Sequence, residues 1–122
     1  MKIEVSNGEI VDKVTILEIK KEKAEGEQLD HIVKELNYLQ PIVDQLNVPE
    51  DLIIQLRKVN RRLWEIEDML RVYEKESNFG RKFITFARAV YQTNHERFKL
   101  KSHINEITNS RLVEQKIHLW EN

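Results

Sequence analysis

The sequence predicts an all-α fold: an antiparallel helical bundle with a long helical hairpin over about residues 50–109. Charged residues make up 34% of the chain, and there are only 3 Gly and 2 Pro, a composition typical of long exposed helices. Apolar residues recur at helical spacing in four successive segments. The 122 residues fit a single domain, residues 1–122, that is long enough to bury a core.

The first helix is expected to begin near Gly8, because Ser6 and Glu9 have the spacing of a capping box. Its apolar residues point in several directions, which indicates burial against more than one neighbour. We expect it to end at Gly26. Ahead of it, the alternation over residues 2–5 predicts a short N-terminal strand.

Three further helices follow. The second contains Pro41, which predicts a kink or a restart. The third has Pro49 at its first position, and a turn at residues 77–81 leads to a fourth that runs to about Asn109. Residues 111–120 suggest a short C-terminal helix. The third helix carries a heptad-like apolar seam: Leu52, Leu56, Val59, Leu63, Ile66, Leu70 and Tyr73.

One face of the fourth helix changes from apolar to polar along its length. Its apolar stripe, formed by Phe83, Phe86, Ala87 and Val90, continues in the same direction as Asn94, Arg97, Lys101 and Asn105. The third helix carries a second, mixed stripe at spacings of 4, 3, 4 and 3, formed by Asn60, Trp64, Glu67, Arg71 and Glu74. An antiparallel hairpin places Trp64 level with Asn94, and Arg97 near Asn60.

Two interpretations of these stripes are open. In the first they form a buried polar network, in which Glu67 pairs with Arg97 or Lys101 and the asparagines fix the helix register. In the second they line a pocket, where Arg97 and Lys101 face an anionic ligand, Trp64 and Tyr91 stack on it, and Glu67 accepts a hydrogen bond or acts as a base. Arg97 needs a partner in both, because an unpaired buried charge is very costly.

The charges of the two hairpin helices are complementary. Residues 63–76 carry five acids and two bases, net −3, and residues 81–105 carry six bases and one acid, net +5. We therefore expect the hairpin to be held by charge pairs as well as by apolar packing.

Composition excludes several function classes. The net charge of −1 argues against a nucleic-acid partner, since nucleic-acid-binding proteins carry a basic excess. The chain lacks cysteine, a signal peptide and a membrane-spanning apolar run, so we expect a cytoplasmic protein with no membrane partner. The four histidines lack metal-binding spacing, so no metal or other cofactor is expected.

Four blocks carry a family resemblance: "IEVSNGEIVDKVTILEIK", "VNRRLWEIEDMLR", "FARAVYQTNHERFKLKSHINEI" and "LVEQK". On these blocks the chain resembles, over nearly its full length, a family of short bacterial proteins catalogued as a domain of unknown function. The resemblance implies that ten residues belong to recurring blocks: Asn60, Trp64, Glu67, Asp68, Asn94, Arg97, Lys101, Asn105, Asp12 and Lys13. It implies no activity.

Two functional hypotheses follow. The first is a non-enzymatic helical assembly or interaction domain that forms a homo-oligomer, expected to be a homodimer, because its apolar faces exceed what one small bundle buries. The alternative is a small-molecule enzyme or sensor that binds a nucleotide or sugar-phosphate between the third and fourth helices. The sequence leaves open whether the protein is an enzyme.

Overall fold

The computed structural model describes residues 1–117, in which four α-helices form an antiparallel bundle. They are α1 (Asn7–Lys23), α2 (Gly26–Leu46), α3 (Glu50–Lys75) and α4 (Arg81–Ile107). The Ser6 hydroxyl caps α1 by accepting a hydrogen bond from the backbone N–H of Glu9, at 3.2 Å. The predicted fold class and the predicted hairpin are confirmed.

Two local expectations differ from the structure, and of the kink or restart expected at Pro41 the restart is excluded. Residues 1–6 form no strand, and residues 108–117 form turns and irregular backbone where a C-terminal helix was expected; residues 118–120 of that segment lie outside the described residues. α2 runs without a restart through Pro41. The alternating residues 2–5 form no strand because they have no neighbouring strand to pair with. α2 stays helical although Pro41 removes one backbone hydrogen bond, because the helix packs against α1.

α1 is the central helix, since it packs against each of the other three. It runs antiparallel to α4, because Gly8 contacts Asn105 while Asp12 contacts Arg97. α3 and α4 form the predicted antiparallel hairpin, in which Arg62 pairs with Glu96 at 2.9 Å. Within residues 1–117 this is the only ion pair between the two hairpin helices, so their charge complementarity contributes less than expected.

The core lies at the end of the hairpin that holds the α3 start and the α4 end. Buried residues of α3 stop at Ile66, and those of α4 begin at Thr93. We call this covered part the proximal half of the hairpin, and residues 67–92 the distal half. The central core cluster comprises Val11, Val14, Leu17, Leu36, Val43, Leu52, Leu56 and Ile104.

Candidate functional site

A polar cluster is buried where α1 crosses α4, and a glycine allows the two helices to approach. A Cβ atom at Gly8 would lie 2.5 Å from the backbone oxygen of Lys101. The Gly8 backbone N–H donates to Oδ1 of Asn105 at 2.6 Å, so the start of α1 is capped from α4 as well as by its own Ser6. Any larger residue at this position would push the helices apart.

Asp12 is the centre of the cluster, with only 2% of its surface exposed. Both carboxylate oxygens accept hydrogen bonds from Arg97, whose Nε lies 2.9 Å from Oδ1. Asn60 donates from Nδ2 to Asp12 at 2.8 Å and to the Thr15 hydroxyl at 2.9 Å. The hydrogen bond to Asp12 raises the pKa of Arg97 against the opposing effect of burial. The charge of Arg97 is therefore neutralised inside the fold.

Lys101 forms a second charged group one helical turn further along α4. Its side chain is 7% exposed, and its Nζ lies 2.8 Å from Glu9 and 3.1 Å from Glu114. Burial acts to lower the pKa of Lys101, but the hydrogen bonds to Glu9 and Glu114 outweigh it and raise the pKa. Glu114 belongs to the segment after α4, which returns along the bundle and covers the ammonium group.

Within the described residues, only one of the two polar atoms of the Asn105 side-chain amide forms a hydrogen bond. Its oxygen accepts the Gly8 N–H, while its Nδ2 is buried and has no hydrogen-bond partner within the described residues. Nearby, Nδ2 of Asn7 donates to the Thr108 hydroxyl, and the Asn7 backbone N–H donates to the Ser110 hydroxyl. Side chains at the C-terminal end of α4 and just beyond it therefore hold the start of α1 in place by hydrogen bonds.

The structure brings four of the eight predicted site residues together and separates the rest. Asn60, Arg97, Lys101 and Asn105 all lie in the cluster against α1. Asn94 is half-buried, and Trp64 is half-buried with the Lys23 ammonium 5.5 Å from its ring. Glu67 and Arg71 are exposed, and Arg71 pairs with Asp68 at 3.1 Å. Tyr91, expected to stack on a ligand, is 63% exposed.

The prediction that Glu67 is the acid partner of Arg97 or Lys101 was wrong. Glu67 does not pair with Arg97 or Lys101, whose acids are Asp12, Glu9 and Glu114. The expectation failed because it considered only the hairpin, whereas α1 fills the groove between α3 and α4. A signal for Asp12 was present in the sequence: it is a charge on a helix whose neighbouring residues are apolar on several sides.

An open groove lies between α3 and α4 in the distal half of the hairpin. Its volume is about 470 Å³, and it is lined by Leu70, Arg71, Glu74, Lys75, Phe83 and Ala87. Phe83 and Ala87 share the direction of Arg97 and Lys101 on α4. The groove is therefore the continuation of the one that α1 occupies in the proximal half.

A sequence match shows the family to which the chain belongs. Residues 1–119 match the family of unknown function DUF6165. The chain belongs to this family. No curated protein and no solved structure matches it at a significant level.

Two other features are absent from residues 1–117. None of the described helices is long and apolar enough to cross a membrane. The same residues contain no group of three or more histidine, aspartate or glutamate side chains arranged to hold a metal ion.

Proposed function

We propose that the chain is a non-enzymatic helical assembly domain that works as a homo-oligomer. The observation that carries the proposal is the open distal groove, which is lined by the apolar side chains of Leu70, Phe83 and Ala87 and is covered by no helix of residues 1–117. Further large apolar side chains of the distal half are 37–63% exposed: Met69, Val72, Phe79, Ile84 and Tyr91. Large apolar side chains that are exposed beside an apolar groove are typical of an interaction site.

The internal balance of the polar cluster supports the same proposal. Asp12 neutralises Arg97, while Glu9 and Glu114 neutralise Lys101. The alternative, a site for an anionic nucleotide or sugar-phosphate, has less support because such a ligand must displace these acids before it can pair with either cation. Of the other residues that this alternative requires, Trp64 has the Lys23 ammonium 5.5 Å from its ring and Glu67 is exposed.

The proposal is tested by the mass of the full chain in solution. At micromolar concentration, sedimentation equilibrium should give a multiple of the 14.7 kDa chain mass. Ala87→Glu places a charge in the groove and should lower the association constant by about tenfold or more. Ala87 is exposed, so its substitution leaves the core intact.

Thr85→Glu is the matched control. Thr85 is exposed two residues away on α4, and positions two apart point to different sides of a helix. This variant carries the same added charge and should associate like the wild type. A 14.7 kDa wild-type mass, together with no partner retained in pull-downs, would overturn the proposed assembly function.

A further inference from the structure

The distal groove is shaped to receive a helix in line with α1. In the proximal half, α1 rests on both hairpin helices, through Asn60 on α3 and Arg97 on α4. α1 ends at Lys23, beside Trp64. Beyond that level α3 continues to Lys75, roughly 16 Å or three turns. The groove over this length has the same two walls but no third helix among the described residues.

Three charged residues of α3 line the groove, namely Arg71, Glu74 and Lys75. All three are exposed. The pair between Arg71 and Asp68, at 3.1 Å with both side chains more than half exposed, is easily exchanged. Arg71 and Glu74 are therefore available to a partner on this wall.

Arg71 and Glu74 carry opposite charges three residues apart, on one face of α3. In an antiparallel copy of α3 related by a two-fold axis midway between them, Arg71 of each copy faces Glu74 of the other. A parallel copy presents like charges to one another, which is unfavourable.

We infer that the occupant of the distal groove is a second copy of this chain, packed antiparallel about a two-fold axis. Arg71 of each copy then faces Glu74 of the other, so that this contact occurs twice, as two-fold symmetry requires. Phe83 and Ala87 are covered by the hairpin of the other copy. This inference rests on the proposed assembly function and adds the surface, the direction and the paired residues.

The antiparallel direction also fits the position of α1. Each α1 lies over the proximal half of its own hairpin, and an antiparallel copy places its proximal half beyond the tip of the first. The two α1 helices then lie at opposite ends of the assembly and leave the shared groove free.

Charge reversal at Arg71 and Glu74 tests the arrangement. Arg71→Glu and Glu74→Arg, each alone, set like charges against each other at two symmetric places and should weaken self-association by about tenfold. The double variant restores opposite charges and should associate like the wild type. A mixture of the two single variants should form a heterodimer more readily than either single variant pairs with itself.

The matched control is Lys58→Glu, an exposed charge reversal on α3 in the proximal half that should leave self-association unchanged. Sedimentation equilibrium gives the association constants, and circular dichroism verifies that each variant is folded. If the double variant is as weak as the single variants, or their mixture does not associate, the antiparallel arrangement is overturned. A wild-type dimer in that case still supports the assembly function, whereas a wild-type monomer overturns the inference whatever other partner binds the groove.

Discussion

The proximal and distal halves of the α3–α4 hairpin differ in what occupies the groove between the two helices. In the proximal half α1 fills it, and the α4 stripe there is polar because Arg97 and Lys101 pair with acids of α1. In the distal half the stripe is apolar, with Phe83 and Ala87 facing an open groove. A specific charged contact thus fixes a helix of the same chain in the proximal half, while no helix of residues 1–117 covers the apolar surface of the distal half.

The largest effect is expected where the proximal contact is most buried. Arg97→Met leaves the Asp12 carboxylate buried with Asn60 as its remaining side-chain donor, and should lower the free energy of unfolding by about 3 kcal/mol. Chemical denaturation measures this change. A loss of this size would show that the packing of α1 on the hairpin depends on the buried pair of Asp12 and Arg97.

Arg62→Met is the matched control for that prediction. It removes the pair between Arg62 and Glu96, whose side chains are both about half exposed, and should cost less than about 1 kcal/mol. Equal losses of unfolding free energy in Arg97→Met and Arg62→Met would contradict the expected difference between a buried and an exposed ion pair. No loss from Arg97→Met would mean that the charge serves something other than folding, and would favour the ligand-binding alternative.

A smaller effect is expected from closing the gap between α1 and α4. Gly8→Ala sets a methyl group 2.5 Å from the Lys101 backbone oxygen, which cannot move aside without shifting α4. The free energy of unfolding should fall by about 2 kcal/mol. Gly80→Ala, where the nearest atom is an Asn78 side-chain oxygen at 3.4 Å, should change it by less than about 1 kcal/mol. Thermal or chemical unfolding that ranks the two substitutions in the opposite order would contradict the close crossing.

The smallest effect concerns alkaline pH. Because the folded protein raises the pKa of Lys101 above 10.5, its stabilising contribution is fully present below that pH and is lost as the pH rises through the folded pKa. The free energy of unfolding should therefore decline more steeply above pH 10.5 for the wild type than for Lys101→Met. Parallel declines in the two proteins would mean that the contacts with Glu9 and Glu114 do not favour the charged form.

Much of the hairpin could be predicted from spacing alone. The predicted level of Trp64 with Asn94 agrees with the observed pairs, since Arg62 meets Glu96 and Tyr73 lies 5.9 Å from Phe86, ring to ring. A short turn between two long helices leaves little freedom in their register. The partner of the polar stripe was not predictable in the same way, because helical spacing shows which residues share a face and not which element covers it.

The sequence by itself determined the four helices, the hairpin and its register, and the polar stretch on α4, because these depend on local spacing and on one short turn. Only the tertiary structure decided that α1 lies in the proximal groove and that Asp12 rather than Glu67 neutralises Arg97. It also decided that residues 1–117 leave the distal groove open. The physical reason is that the connections around α2 permit α1 several positions on the hairpin. The position it takes follows from burying the Asp12 carboxylate against Arg97 and Asn60 and from the close approach that Gly8 permits.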